Sequence, residues 1–189
     1  MALGFVRPAR PDDAGEIARI QLSTWRTAYR RMFPAHVLAN LDEDYLSRGW
    51  LEAITAPPSP RHRVLIAIEQ SETASATVGF AAAGPADEHA LAPEEKPLGE
   101  SVAAVTDLLV EPRWSRRGHG SRLLAACVDH WRDDGFTTAV AWSYDADPAM
   151  RAFLTSAGWE PDGAARALDV EDLLVEQIRW HVSLDREPA

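Results

Sequence analysis

The stretch VAAVTDLLVEPRWSRRGHGSRLLAACVDHW, residues 102–131, constrains the fold more than any other part of the chain. It opens with an apolar run rich in β-branched residues, which predicts a strand at Val102–Val110. The following segment Gly118–Asp134 carries apolar residues at helical spacing, which predicts an amphipathic helix. A strand must therefore feed a helix through a short turn that contains two glycines.

This joint has the composition of an anion-binding site. The first amides of a helix have no intrahelical partner and lie at the positive end of the helix dipole. Gly118 and Gly120 lack the Cβ atoms that would keep a phosphate away, and Arg116 and Arg117 add positive charge. Taken alone, the joint is about equally compatible with a glycine-capped turn whose arginines are merely solvated.

Two other phosphate-binding motifs do not fit the joint. A P-loop needs four residues between its glycines, followed by Lys-Ser or Lys-Thr, and neither feature is present. A dinucleotide-binding fingerprint needs a third glycine where Leu123 stands.

Charge and composition exclude several classes of protein. The formal net charge of -10 argues against nucleic acid as a partner, since nucleic-acid binders present broad basic faces. At 189 residues and 46% hydrophobic residues, the chain predicts a single domain over 1–189. No apolar stretch approaches the ~20 residues of a membrane span, and the N-terminal sequence lacks a secretory layout, so we expect a cytoplasmic protein without a membrane partner.

The lone cysteine, Cys127, lies on an apolar helix face and predicts a buried thiol.

The rest of the chain predicts further strands and helices. Asp13 and Glu16 have the spacing of a capping box that begins a helix, which Pro34 ends. A second helical region is predicted within His36–Ile54. The remaining predictions are strands at Phe5–Arg7, RVLIAIE, TVGFAAAG, TTAVAWS and LLVEQIRWHVSL, and a helix at Pro148–Ala157.

Gly84–Gly99 predicts a mobile acidic loop. Its carboxylates either remain solvated or attract a cationic substrate. They belong to Asp87, Glu88, Glu94 and Glu95.

Three segments resemble motifs of the GCN5-related N-acetyltransferase (GNAT) superfamily. VEPRWSRRGHGSRLL resembles motif A, which is a strand, a proline, an Arg/Gln-x-x-Gly-x-Gly/Ala loop and a helix with paired leucines. FVRPARPDDAGEIARI is similar to the family's first strand and helix, and DPAMRAFLTSAGWEP to its motif B. Together the three segments imply that the core of the family's domain covers about residues 5–184 of the single domain 1–189. The resemblance implies an α/β (α+β) fold with a mixed, mostly antiparallel central sheet, flanked by helices and split between its fourth and fifth strands.

The resemblance also implies a function. Family members hold acyl-coenzyme A in the split, so the chain is expected to be an acetyl-CoA-dependent N-acetyltransferase that uses no metal and acts on an amine of a small molecule or protein. Backbone groups of the fourth strand would bind the pantetheine arm, the Val110 amide would polarise the thioester oxygen, and the loop would bind the diphosphate. The implied cofactor-binding residues are Leu108, Leu109, Val110, Ser115, Arg116, Arg117, Gly118, His119, Gly120, Ser121 and Asp147.

The proton-transfer positions depart from the family pattern. Leu154 stands where a Tyr often donates a proton, and Ala104 and Trp142 stand where a Glu is sometimes the base. Ser115 replaces the Gln or Arg that usually opens the loop. Each substitute has a structural alternative, such as a hydrogen bond within the fold or a solvent-facing loop position. The substitute catalytic candidates are Asp107, Glu111 and Tyr144.

Trp25 and Tyr29 are expected either to line the acceptor site, as helices after the first strand do in this family, or to pack in the core. His119 occupies the variable position between the glycines and is expected to be exposed. One other function stays open, a non-catalytic acyl-CoA-binding or regulatory module. A purely structural interaction domain would explain neither the glycine loop nor its arginines. The sequence does not decide between a monomer and a homodimer.

Overall fold

The computed structural model describes residues 3–185, which form one sheet of seven strands with helices against it. The strands are hydrogen-bonded in the order β1-β2-β3-β4-β5-β7-β6. Their bounds are β1 (Leu3–Pro8), β2 (Arg63–Gln70), β3 (Ser75–Pro85), β4 (Val102–Val110), β5 (Thr138–Tyr144), β6 (Glu160–Val170) and β7 (Leu173–Ser183). The helices are α1 (Ala14–Ala28), α2 (Ala35–Ala39), α3 (Glu43–Thr55), α4 (His119–Asp133) and α5 (Pro148–Ser156).

Strand pairing confirms the predicted mixed sheet. β1 pairs with β2, β5 with β7, and β6 with β7 in antiparallel fashion, whereas β4 and β5 are parallel. The β4–β5 ladder joins Val102–Val105 to Thr138–Ala141, and β4 continues beyond it to Val110. Each helix within residues 3–185 is too short or too polar to span a bilayer.

The chain forms two compact units, each made of two separate segments. The first unit takes the chain up to Ala82 together with Asp107–Cys127. The second takes Ala83–Thr106 and the chain from Val128 onward. The single domain over 1–189 stays a prediction, and residues 1–2 and 186–189 lie outside the described range.

The core of the first unit lies where α1 packs against strands. Ile17 and Ile20 of α1, Ile66 and Ile68 of β2, Phe80 of β3 and Leu109 of β4 form a cluster in which no member is more than 7% exposed. Burying each such side chain contributes roughly 1.5–3 kcal/mol to folding. The partly buried side chains at its edge, from α1, α3 and β2 and the residue after β1, are Ala9, Trp25, Trp50, Ile54 and Val64.

The predicted capping box at the start of α1 is wrong. Asp13 does not cap the helix with its side chain; instead its carboxylate accepts the Arg10 amide at 2.6 Å and two hydrogen bonds from Arg7. Glu16 pairs with Arg19 one turn along the helix. Asp13 and Glu16 have the spacing of a capping box, but the Asp13 carboxylate is hydrogen-bonded to the Arg7 guanidinium of β1 instead of capping the helix.

Two other element predictions need correction. The region His36–Ile54 contains two helices rather than one, because Asp42 begins α3 by accepting the amides of Asp44 and Tyr45. The strand β6 was missed, since EPDGAARALDV contains Pro, Gly and Asp and almost no β-branched residue. It forms because antiparallel pairing with β7 satisfies its backbone.

The acidic segment before β4 is held in place within the second unit, contrary to the predicted mobile loop. Arg179 of β7, 4% exposed, donates to both carboxylate oxygens of Glu95 and to the Ala90 carbonyl, and its Nε lies 2.6 Å from Asp162 Oδ2. Trp142 donates to the same Ala90 carbonyl. Glu95 is thus an internal counterion and is not available to attract a cationic substrate.

Replacing the buried Arg179 should destabilise the fold strongly. Arg179→Met leaves two carboxylates without their cation, so we expect a loss of about 3 kcal/mol in the free energy of unfolding, measured by urea denaturation. Arg151→Met is the matched control, because Arg151 pairs with Asp145 at the surface and exposed pairs contribute under about 1 kcal/mol. Equal losses in the two variants would contradict the assigned role of Arg179.

Candidate coenzyme-binding site

The joint between β4 and α4 forms a short exposed loop in the first unit. After β4 ends at Val110, Pro112–Trp114 make one 3-10 turn, and α4 begins at His119. Arg122 N donates to Gly118 O at 3.0 Å, which is the first hydrogen bond of the helix. The amides of residues 119–121 therefore lack intrahelical partners, as an anion site at a helix start requires.

The loop owes its sharp bend to two residues in the left-handed region. Gly118 has φ 81°, a conformation that glycine adopts without steric cost. Arg116 has φ 65°, which is uncommon for a residue with a Cβ atom and marks backbone strain at this point. Residues 115–118 are all exposed, so the outer surface of the bend is open to solvent.

The end of β4, which carries the predicted thioester-binding residues Leu108, Leu109 and Val110, is held by β3. The Glu111 amide donates to Val78 O at 2.9 Å. A Cβ atom at Gly79 would lie 2.6 Å from the Leu109 carbonyl oxygen, so only glycine allows the two backbones to approach this closely. Sequence reasoning missed Gly79, although an isolated glycine inside an apolar strand is a recognised signal of such an approach.

Glu111 is the buried carboxylate of an ion-pair cluster that it forms with Arg19 and Arg113. Its carboxylate, 6% exposed, receives Arg19 Nη1 at 3.0 Å and Arg113 Nε at 3.0 Å. Burial acts to raise the pKa of Glu111, but the hydrogen bonds from Arg19 and Arg113 outweigh it and hold the pKa below its ordinary value. A carboxylate so stabilised as an anion is a poor proton acceptor.

The predicted exposure of His119 is wrong. Its side chain is 1% exposed and points away from solvent, with Nε2 3.1 Å from Glu69 Oε2. Nε2 nevertheless has no aligned hydrogen-bond partner among residues 3–185. Burial lowers the pKa of His119, the charges of Arg122 and Arg117 act in the same direction, and Glu69 opposes them.

The other predicted site residues belong to both compact units. Asp107 is half-buried on β4 of the first unit, four residues before Glu111. Tyr144 and Asp147 belong to the second unit, where Asp147 begins α5 by accepting the amides of Ala149 and Met150. Trp25 is half-buried against the first unit's core, and Tyr29 is 7% exposed beside Phe33, whose ring centroid is 6.1 Å away.

Three further positions behave as apolar or structural groups. Leu154, where the family often has Tyr, is 3% exposed. The Arg166 guanidinium lies 4.2 Å from the ring centroid of Trp142 and makes a cation–π contact with it. Burial raises the pKa of the Cys127 thiol to about 12, which confirms that it is an inert buried group. Within residues 3–185, no three His, Cys, Asp or Glu side chains are grouped so as to hold a metal ion.

The mixed sheet and the glycine loop after its fourth strand match the fold that the GNAT resemblance implies. The acetyltransferase (GNAT) family model matches residues 22–159, and the chain belongs to that family. The match includes β4, the loop and α4, which the sequence resemblance identified.

Individual relatives agree with this assignment. The chain is 26% identical over 145 residues to the uncharacterized N-acetyltransferase YuaI of Bacillus subtilis, covering 77% of this chain and 74% of that protein. Its fold is similar to an N-acetyltransferase of Staphylococcus aureus Mu50, with a TM-score of 0.71, 15% identity, and coverage of 97% and 99% of the two chains. It is also similar to the Salmonella typhimurium protein yncA, solved with its cofactor acetyl-CoA, with a TM-score of 0.69, 18% identity, and coverage of 99% and 97%.

The buried imidazole of His119 should make stability depend on pH. Because its pKa is lowered in the folded state, the unfolded chain, whose histidine pKa is about 6.5, binds the proton more readily. The stability linked to neutral His119 is fully present above about pH 6.5 and is lost as the pH falls toward the folded pKa. His119→Gln should lack this loss, so its melting temperature should fall less than that of the wild type between about pH 7.5 and about pH 5.5. Parallel curves would contradict the assignment.

Proposed function

We propose that this protein is an acetyl-CoA-dependent N-acetyltransferase that transfers the acetyl group directly to a primary amine of a small molecule or protein. The observation that carries the proposal is the open bend after β4, where the amides of residues 119–121 precede the first hydrogen bond of α4. Family membership supports it, as does the acetyl-CoA named as the cofactor of the Salmonella protein.

The residues of the joint fit a diphosphate. Residues 115–118 are exposed, so the outer surface of the bend is accessible to a ligand. The helix amides supply donors at a positive dipole end, and the exposed Arg116 supplies a cation. Acetyl-coenzyme A bound there would contribute a thioester, and the coenzyme A thiolate would be a good leaving group when its C–S bond breaks.

The fixed end of β4 would orient the thioester. By the family resemblance, backbone groups of Leu108, Leu109 and Val110 would bind the pantetheine arm, and the Val110 amide would donate to the thioester oxygen. The backbone contact between Gly79 and Leu109 keeps this segment in one position. A preset donor of this kind stabilises the charge that develops on the oxygen, an effect of about 3–4 kcal/mol in other acyl-transfer enzymes.

The acceptor must lose a proton before it attacks, because a lysine-like amine has a pKa of about 10.4. Among the catalytic candidates, Glu111 is disfavoured as the base, because Arg19 and Arg113 already stabilise its charge and hold its pKa below the ordinary value. We therefore assign the base role to Asp107, with Tyr144 as the alternative. Trp25 is the residue of the Trp25–Tyr29 pair that retains exposed surface for an acceptor.

Coenzyme binding should be visible as thermal stabilisation. A ligand at a hundred times its Kd adds about 2.7 kcal/mol to the free energy of unfolding, so acetyl-CoA should raise the melting temperature by several degrees. Gly120→Glu should abolish the shift, because it adds a side chain and a negative charge at the helix start. Gly49→Glu, at a position on α3 with open space around its Cβ, is the control that should keep the shift. No shift in the wild type at millimolar acetyl-CoA would overturn the proposed function.

Kinetics and thermal stability together distinguish the roles of the Asp107 and Glu111 carboxylates. Asp107→Asn should lower kcat by about 10²–10⁴ with little change in the KM for acetyl-CoA, as expected for loss of a general base. Glu111→Gln should instead lower the melting temperature, because Arg19 and Arg113 lose their shared counterion. Acetyl transfer by Asp107→Asn at the wild-type rate would eliminate Asp107 and direct attention to Tyr144.

One observation favours a second candidate function, a non-catalytic acyl-CoA-binding or regulatory module. Leu154 is buried at the position where the family often has a proton-donating Tyr, and a leucine cannot donate a proton. Thiol release from acetyl-CoA, measured against a panel of polyamines, aminoglycosides and lysine peptides, separates the two. Tight binding of acetyl-CoA without turnover on any amine would favour the module.

A further inference from the structure

Glu69, the next-to-last residue of β2, faces the diphosphate loop although it is 50 residues away in sequence. Its side chain is 13% exposed, and its two carboxylate oxygens meet two different loop residues. Oε2 lies 3.1 Å from His119 Nε2, and Oε1 lies 3.9 Å from Arg117 Nη1. A single carboxylate thus contacts two residues where the bend passes into α4.

Arg122 holds the other side of the imidazole. Its Nη1 lies 3.4 Å from His119 Nδ1 and also donates to the Arg117 carbonyl at 3.2 Å. A guanidinium can only donate, so Nδ1 must accept and the ring proton resides on Nε2, toward Glu69. That N–H is buried and lacks an aligned partner within residues 3–185, although the carboxylate is at hydrogen-bond distance. A small movement of the loop would complete the bond.

Gly4 of β1 makes this arrangement sterically feasible. A Cβ atom there would lie 2.6 Å from Arg122 Nη1 and 3.3 Å from His119 Cε1. The first contact is shorter than any real Cβ contact, so any larger residue would displace the guanidinium. Of the two neighbouring strands, β2 thus supplies Glu69 and β1 leaves room for the side chains beside it.

The adjacent arginines of the loop have different environments. The Arg117 guanidinium lies 4.8 Å from the ring centroid of Trp114 and beside Glu69, so its charge is already partnered. Arg116 is exposed, holds a left-handed backbone conformation, and its side chain has no hydrogen bond or ion pair with another residue in the range 3–185. Of the two loop arginines, Arg116 is therefore the one whose charge has no protein partner within residues 3–185.

We propose that Glu69 is a positioning residue for the diphosphate loop: it holds Arg117 and His119 against β2, which leaves Arg116 as the cation that contacts the diphosphate. The inference rests on the proposed function for the identity of the ligand. The positioning itself is a property of the protein without ligand, and it has its own readout.

The two arginines provide a matched pair of variants for calorimetric titration with coenzyme A. Arg116→Ala should raise the Kd about tenfold or more, the loss expected when a charged hydrogen bond to phosphate is removed. Arg117→Ala removes the same charge one residue away and should raise the Kd less than about threefold. A loss in Arg117→Ala that equals or exceeds the loss in Arg116→Ala would overturn the division of roles.

Glu69→Gln tests the positioning residue, with Glu72→Gln in the exposed β2–β3 turn as the control. Without ligand, Glu69→Gln should accelerate amide hydrogen exchange of residues 116–120 about tenfold, whereas Glu72→Gln should leave it unchanged. Its Kd for coenzyme A should rise about threefold to tenfold. Unchanged exchange would refute the positioning role whether or not the wild type binds coenzyme A. Tighter binding by Glu69→Gln would also refute it, because the carboxylate would then act only by repelling the ligand.

Discussion

The close backbone contact between β3 and the end of β4 is the constraint on which the candidate site depends. Gly79 lets the β3 backbone approach the Leu109 carbonyl, and the Glu111 amide is bonded to Val78 O. Because β4 leads directly into the loop and α4, fixing its end also fixes where the helix amides point. A flexible strand end would lose the preset geometry that acyl transfer requires.

Charge in the first unit is arranged as pairs of opposite sign around the loop. The chain is acidic overall, at a formal net charge of -10, yet the loop contains adjacent arginines. Glu111 engages Arg19 and Arg113, and Glu69 lies beside Arg117. These two carboxylates, Glu111 buried and Glu69 partly buried, determine which guanidinium groups are paired within the fold. A charge count from the sequence cannot make that distinction, because each cation looks equally available there.

The second unit uses a similar device for a different purpose. Arg179 of β7 donates hydrogen bonds to Glu95, Asp162 and the Ala90 carbonyl. These bonds attach the acidic segment that precedes β4 to strand β7. The three-way contact explains why a segment with the composition of a solvated loop has a defined structure. A buried guanidinium with several oxygen partners satisfies its donors while neutralising two carboxylates.

The sequence by itself determined β4, the loop and α4 almost to the residue, together with the family, because apolar periodicity and glycine spacing are local properties that survive without knowledge of the fold. It did not determine β6, whose residues are poor strand formers and which forms only by pairing with β7. It also misplaced His119 and gave no indication of Glu69 or Gly4, since their contacts join segments far apart in the chain. Local pattern specifies which elements form and where an anion can bind. Tertiary packing alone decides which carboxylate meets which arginine, because that depends on how distant strands are brought side by side.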